Sequence, residues 1–97
     1  MKNEQCIEEE AGTPTLTVEL ESEARMIPWN SFVSGTLVED RITLNFSDWL
    51  ITIEGERLDE LWSVLQLQDV RMMRAVTSGD EHECFIRDLR MEEVTDV

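Results

Sequence analysis

The stretch 46-FSDWLITIEGERLDELW-62 changes its period halfway along. From Trp49 to Ile53 it is rich in the β-branched and aromatic residues that suit a pleated strand. Beyond Gly55 the apolar residues Leu58, Leu61, Trp62 and Leu65 recur at i, i+3, i+4 and i+7, which is one stripe on a helix. The spacing predicts a helix over about Arg57 to Leu67, roughly 16 Å long. Asp59 and Glu60 fall in its first turn, where the positive end of the helix dipole favours carboxylates. Trp62 lies on the stripe and is expected in the core, with Gly55 as the switch from strand to helix.

Working outward, Ile42, Leu44 and Phe46 alternate with Thr43 and Asn45, so a hairpin turning at Ser47 and Asp48 joins this strand to the next. Ser-Asp is not the Asn-Gly or Asp-Gly of the tightest turns, and a loop longer by a residue or two is expected. Leu16, Val18 and Leu20 alternate in the same way after Pro14. Phe32 to Val38 reads as a short strand interrupted by a bulge at Gly35. Between these two strands, Ser22 to Asn30 holds Met26, Ile27 and Trp29 without a clean period, and Pro28 obstructs regular pairing; it is expected as an irregular connection folded onto the core. Downstream, 70-VRMMRAV-76 and 83-ECFIRDLRM-91 flank the turn-like 77-TSGDEH-82 and read as a second hairpin.

The resulting expectation is one α+β domain over residues 14–92: a small, mostly antiparallel sheet of five or six strands with one helix on one face. Residues 1–13, acidic and with a single Ile, are expected as a disordered tail, and residues 93–97 as a frayed end. One short helix cannot cover such a sheet. The other face, with Met72, Met73, Phe85, Ile86 and Leu89, then needs cover from curling into a barrel or from a second chain, and a homodimer is expected.

With 22 acidic against 8 basic residues, the chain carries a formal charge of -14. Duplex DNA and anionic membranes are bound by Lys and Arg, so neither is expected as a partner; a basic protein is. No apolar run approaches the roughly 20 residues that span a bilayer, and the opening MKNEQCIEEE lacks the apolar centre of a signal peptide, which points to the cytoplasm.

Candidate chemistry is sparse. His82 is the sole histidine and reads as a solvated loop residue between Glu81 and Glu83, so no nucleophilic triad is expected. Cys6 and Cys84 form no disulfide or zinc framework, and the glycines at 12, 35, 55 and 79 are too scattered for a phosphate loop; no metal and no cofactor are expected. Glu54 and Glu56 flank Gly55, where a chain turn sends their carboxylates apart. Arg71, Arg74, Arg87 and Arg90 read as cross-strand partners for Asp80, Glu81, Glu83 and Asp88 in the same span, ahead of a nucleic-acid platform around Phe85.

Trp29, Trp49 and Glu54 remain as candidate partner- or ligand-binding residues, since Trp is enriched at interaction hot spots. The expected function is a non-catalytic, acidic binding or regulatory module acting through protein–protein contacts. The alternative is a small-molecule or enzymatic pocket between helix and sheet, lined by Trp29 or Trp49 with Glu54.

Overall fold

The computed structural model of the protein describes residues 6–75 and 85–94. Its strands are β1 (Ile7–Glu9), β2 (Thr15–Glu19), β3 (Ala24–Pro28), β4 (Phe32–Val38), β5 (Arg41–Phe46), β6 (Trp49–Glu56), β7 (Val70–Arg74) and β8 (Phe85–Glu93). A 3-10 turn, Trp29–Ser31, links β3 to β4, and one helix, α1 (Leu58–Gln66), links β6 to β7. The strands form two four-stranded sheets, ordered β1-β7-β2-β3 and β4-β5-β6-β8. The chain is α+β as expected, but its strands form two sheets in place of one, and neither closes into a barrel.

Strands β5 and β6 follow the expected alternation. Ile42, Leu44 and Phe46 on one and Ile51 and Ile53 on the other are buried, and Asn45 stands opposite Leu50 across a turn at Ser47 and Asp48 that is tight after all. On α1, Leu58, Leu61 and Leu65 are buried while Trp62 is only half-buried, a correction to its expected place in the core. At about 100° per residue, Trp62 falls some 65° from the centre of the leucine stripe and packs at its shoulder.

The first sheet departs furthest from expectation. Segment 6–13, expected as tail, is clamped along residues 69–74: the Arg74 N–H donates to the Cys6 carbonyl at 2.8 Å, the Glu10 N–H to the Asp69 carbonyl at 2.7 Å, and the Gly12 N–H to Asp69 Oδ1 at 3.1 Å. Gly12 takes a φ of 74°, which a residue without Cβ adopts freely. Ala24 to Pro28, expected as irregular, is a regular partner of β2, with Thr15 opposite Pro28. A proline is tolerated there because it ends an edge strand, where no ladder donor is missed. The expected hairpin of 70–76 with 83–91 does not form. β7 lies between β1 and β2, parallel to β2, whereas β8 pairs with β6 in the other sheet.

Three bulges interrupt the two-residue alternation. Gly55 stands opposite Ile86 and Glu54 opposite Asp88, leaving Arg87 as an extra residue; the shift lets Ile86 and Leu89, three apart, both reach the core. Arg71 is the extra residue between Val70 and Met72 in β7, and Val33 the extra one between Phe32 and Ser34 in β4, so the bulge expected at Gly35 lies two residues earlier. Gly35 instead provides a close approach: a Cβ there would come within 3.3 Å of Leu44 Cδ2 and 3.4 Å of Phe32 Cζ. All three extra residues are exposed.

Inward-facing residues of both sheets, among them Leu16, Val18, Ile27, Val70 and Met73 with Ile42, Leu44, Ile51, Ile53 and Ile86, join the leucines of α1 in one buried cluster. Met73, Ile86 and Leu89 belong to it, and Met72 is buried as well. The apolar face that was expected to need a second chain is therefore covered within the monomer, apart from Phe85, whose side chain lies outside the described set.

Candidate functional site

Trp29, the first of the three candidate residues, is 4% exposed. The 3-10 turn after Pro28 carries its ring inward, where it packs against Phe32 and Phe46 with centroid separations of 5.8 and 5.6 Å. Its Nε1–H donates to the Val70 carbonyl at 3.0 Å. The ring stands where the chain crosses from one sheet to the other, and its one polar atom is already engaged with β7. Trp29 is thus part of the buried core.

Trp49 opens β6 and is half-buried. The guanidinium carbon of Arg25, on β3 of the other sheet, lies 4.6 Å from its ring centroid. At an exposed position such a contact contributes about 0.5–1 kcal/mol. Arg25 also reaches Glu23 at 2.9 Å, so the pair tethers the two sheets at their rim.

Glu54 lies five residues further along β6, roughly 17 Å away at the rise of a strand. The structure thus separates Glu54 from both tryptophans. It lines a cleft of about 560 Å³ at the end of the second sheet, made by the β4–β5 turn (Val38 to Arg41), the end of β6 (Glu54 to Glu56) and Arg87 and Asp88 of β8. The helix contributes nothing to its lining, and in this respect it differs from the expected pocket between helix and sheet. Gly55 does not end the strand; β6 continues through it to Glu56, and the turn comes at Arg57, whose φ of 54° and ψ of 43° redirect the chain into α1.

Five carboxylates and two guanidinium groups line this cleft. Glu54 accepts from Arg41 at 3.3 Å and faces Arg90 at 3.6 Å; Glu56 accepts from Arg87 at 3.1 Å; Asp88 accepts from Arg90 at 3.1 Å. Among the described residues, Glu39 and Asp40 take no arginine partner. Glu39 holds a φ of 54°, and the Asp40 carbonyl accepts the Gly55 N–H at 3.2 Å, which fixes the turn against β6. These two carboxylates were not singled out from the sequence. The signal was present in 38-VEDR-41, a charged pair between two alternating strands.

The four clustered arginines do pair with carboxylates, but not on one face. Arg71 and Arg74 belong to the first sheet, where Arg71 contacts Glu8 and meets Glu10 at 3.3 Å and Arg74 meets Glu19 at 3.1 Å. Arg87 and Arg90 belong to the second sheet and mostly use partners on β6. Among the described residues the carboxylates other than Asp88 come from strands distant in sequence; Asp80, Glu81 and Glu83, also expected as partners, lie outside the described residues. His82 and Cys84 lie outside the described residues, and among the described ones no three metal-ligating side chains converge.

No protein-family model, curated protein or solved structure matches the chain. No helix among the described residues is long and apolar enough to cross a membrane.

Proposed function

We propose that the protein is a cytoplasmic, non-catalytic binding module whose acidic surface meets a basic partner protein. What supports this is the surplus of carboxylates once internal pairing is complete. Arg25, Arg41, Arg71, Arg74, Arg87 and Arg90 each face a carboxylate of the chain itself, whereas Glu39, Asp40, Asp59 and Glu60 face none of them. Positive groups are held internally and negative ones are left outward. Such a field steers cationic partners and accelerates their encounter in a salt-dependent way.

Capture of partners at low and at high salt, followed by titration of the purified partner, tests this. A basic protein whose affinity falls as salt rises, and falls further with Glu39→Gln and Asp40→Gln together, is the expected outcome. No partner at any salt, or one indifferent to both salt and these substitutions, counts against it.

A second reading rests on the cleft itself. Its volume lies within the roughly 300–1,000 Å³ usual for small ligands, although its lining is more polar than most such sites. A cationic small molecule would suit five carboxylates, and thermal stabilisation by a panel of polyamines, abolished by Glu39→Gln with Asp40→Gln, distinguishes this reading from the first.

A further inference from the structure

We propose that β4 pairs antiparallel with β4 of a second copy of the chain, so that the sheet β4-β5-β6-β8 continues across a two-fold axis as eight strands. Among the described residues β4 is an open edge of its sheet, seven residues long. In an antiparallel ladder, the backbone groups of alternate residues point away from the neighbouring strand, and such an edge is a template for another strand.

Soluble proteins protect open edges with charges and prolines. Three of the four edges here are protected in that way: β1 carries Glu8 and Glu9, β3 carries Arg25 and Pro28, and β8 carries Arg87, Asp88, Arg90, Glu92 and Glu93. β4 carries no charge at all. It lies within a run from Met26 to Val38 that has no charged residue, in a chain that is 31% charged. Two of its side chains, Val33 and Val38, are large, apolar and 66% and 57% exposed. The bulges show the same contrast, because the extra residue is arginine in β7 and β8 but valine in β4.

The choice of a second copy over a foreign strand rests on charge. The bulge at Val33 leaves Ser34 to Val38 as the regular segment, with Thr36 at its centre. Pairing about Thr36 puts Gly35 opposite Leu37, Ser34 opposite Val38, and Glu39 beside Val33 of the other copy, so no carboxylate meets a carboxylate. The two Glu39 side chains then lie roughly 20 Å apart along the strands, beyond the screening length of about 8 Å at physiological ionic strength. A strongly acidic chain can therefore pair with itself here. A basic strand would find no carboxylate within β4 to prefer it over a neutral one.

The test is sedimentation and light scattering of the full chain over a concentration series, with Thr36→Lys and, as a control on the other sheet's edge, Met26→Lys. The expected result is a dimer that Thr36→Lys weakens at least about tenfold, by setting two ammonium groups against each other at the axis, and that Met26→Lys leaves intact. Amide hydrogen exchange of the unsubstituted chain gives a readout that does not depend on a variant folding: residues 34–38 should become more protected as concentration rises. A monomer at every concentration, a dimer indifferent to Thr36→Lys, or β4 protection that does not follow dimerisation overturns the proposal.

Discussion

The two sheets bury comparable apolar faces in one core, yet they are built from the chain in different ways. In β4-β5-β6-β8 the first three strands are consecutive and joined by tight turns, so most of the sheet is local. In β1-β7-β2-β3 one of the two inner strands, β7, arrives from the far half of the chain, with Ile7 opposite Met73 and Thr17 opposite Met72. Local pairing is entropically cheap and fast, whereas long-range and parallel pairing is slow. The second sheet is accordingly expected to form early, with the first assembling onto it.

The harshest way to break this arrangement is at the crossing between the sheets. Trp29→Ala removes a buried ring that touches Phe32 and Phe46 and bonds to β7, and should lower stability by about 3–5 kcal/mol in urea unfolding. Trp29→Phe keeps much of the volume but leaves the Val70 carbonyl without its donor, for about 1–3 kcal/mol.

Paired truncations within each sheet sharpen the comparison. Ile53→Ala in β6 and Leu16→Ala in β2 both remove fully buried side chains, at about 2–5 kcal/mol each. Their kinetics should differ. In stopped-flow experiments Ile53→Ala should mainly slow folding, and Leu16→Ala should mainly speed unfolding. The reverse pattern would place the nucleus in the first sheet.

Removing residues 1–9 uncovers one side of β7 and should reduce stability by about 2 kcal/mol, from the lost burial of Cys6 and Ile7. No change in the unfolding midpoint would mean that β1 is not required. The smallest effect is expected for Glu54→Gln. Its arginine partners are more than half exposed, and the change should stay within about 1 kcal/mol by the same measurement.

How much of the fold was legible follows the same division. Ile42, Leu44, Phe46, Ile51 and Ile53 announced β5 and β6 because each strand has one buried face and keeps its phase. β1 was not legible, since Ile-Glu-Glu shows one apolar residue and its ordering comes from hydrogen bonds to β7 and to Asp69, which no local pattern reports. β3 buries only Ile27, and Pro28 concealed it. In β7 and β8 the bulges at Arg71 and Arg87 break the alternation, so counting by twos does not give their buried faces. Proximity in sequence then suggested a hairpin between two strands that belong to different sheets.

The candidate site was legible to a smaller extent. Glu54 lies in the acidic cleft, but Trp29 is occupied by the core and Trp49 stands at the other end of β6. An aromatic residue beside a proline carries no mark that separates a buried hinge from an exposed anchor. Glu39 and Asp40 acquire meaning only when the turn that carries them is set against the ends of β6 and β8.

The insertion of β7 between β1 and β2 also has a consequence for synthesis on the ribosome. When β2 and β3 have emerged, the strand that will separate β2 from β1 has not been translated. At about 5–20 residues per second, the 46 positions from Pro28 to Arg74 take roughly 2–9 s. Throughout that interval the nascent hairpin presents a bare flank. The acidic opening of the chain, with Glu8, Glu9 and Glu10 so close to that flank in sequence, surrounds it with negative charge while it waits, and discourages neighbouring nascent chains from pairing there first.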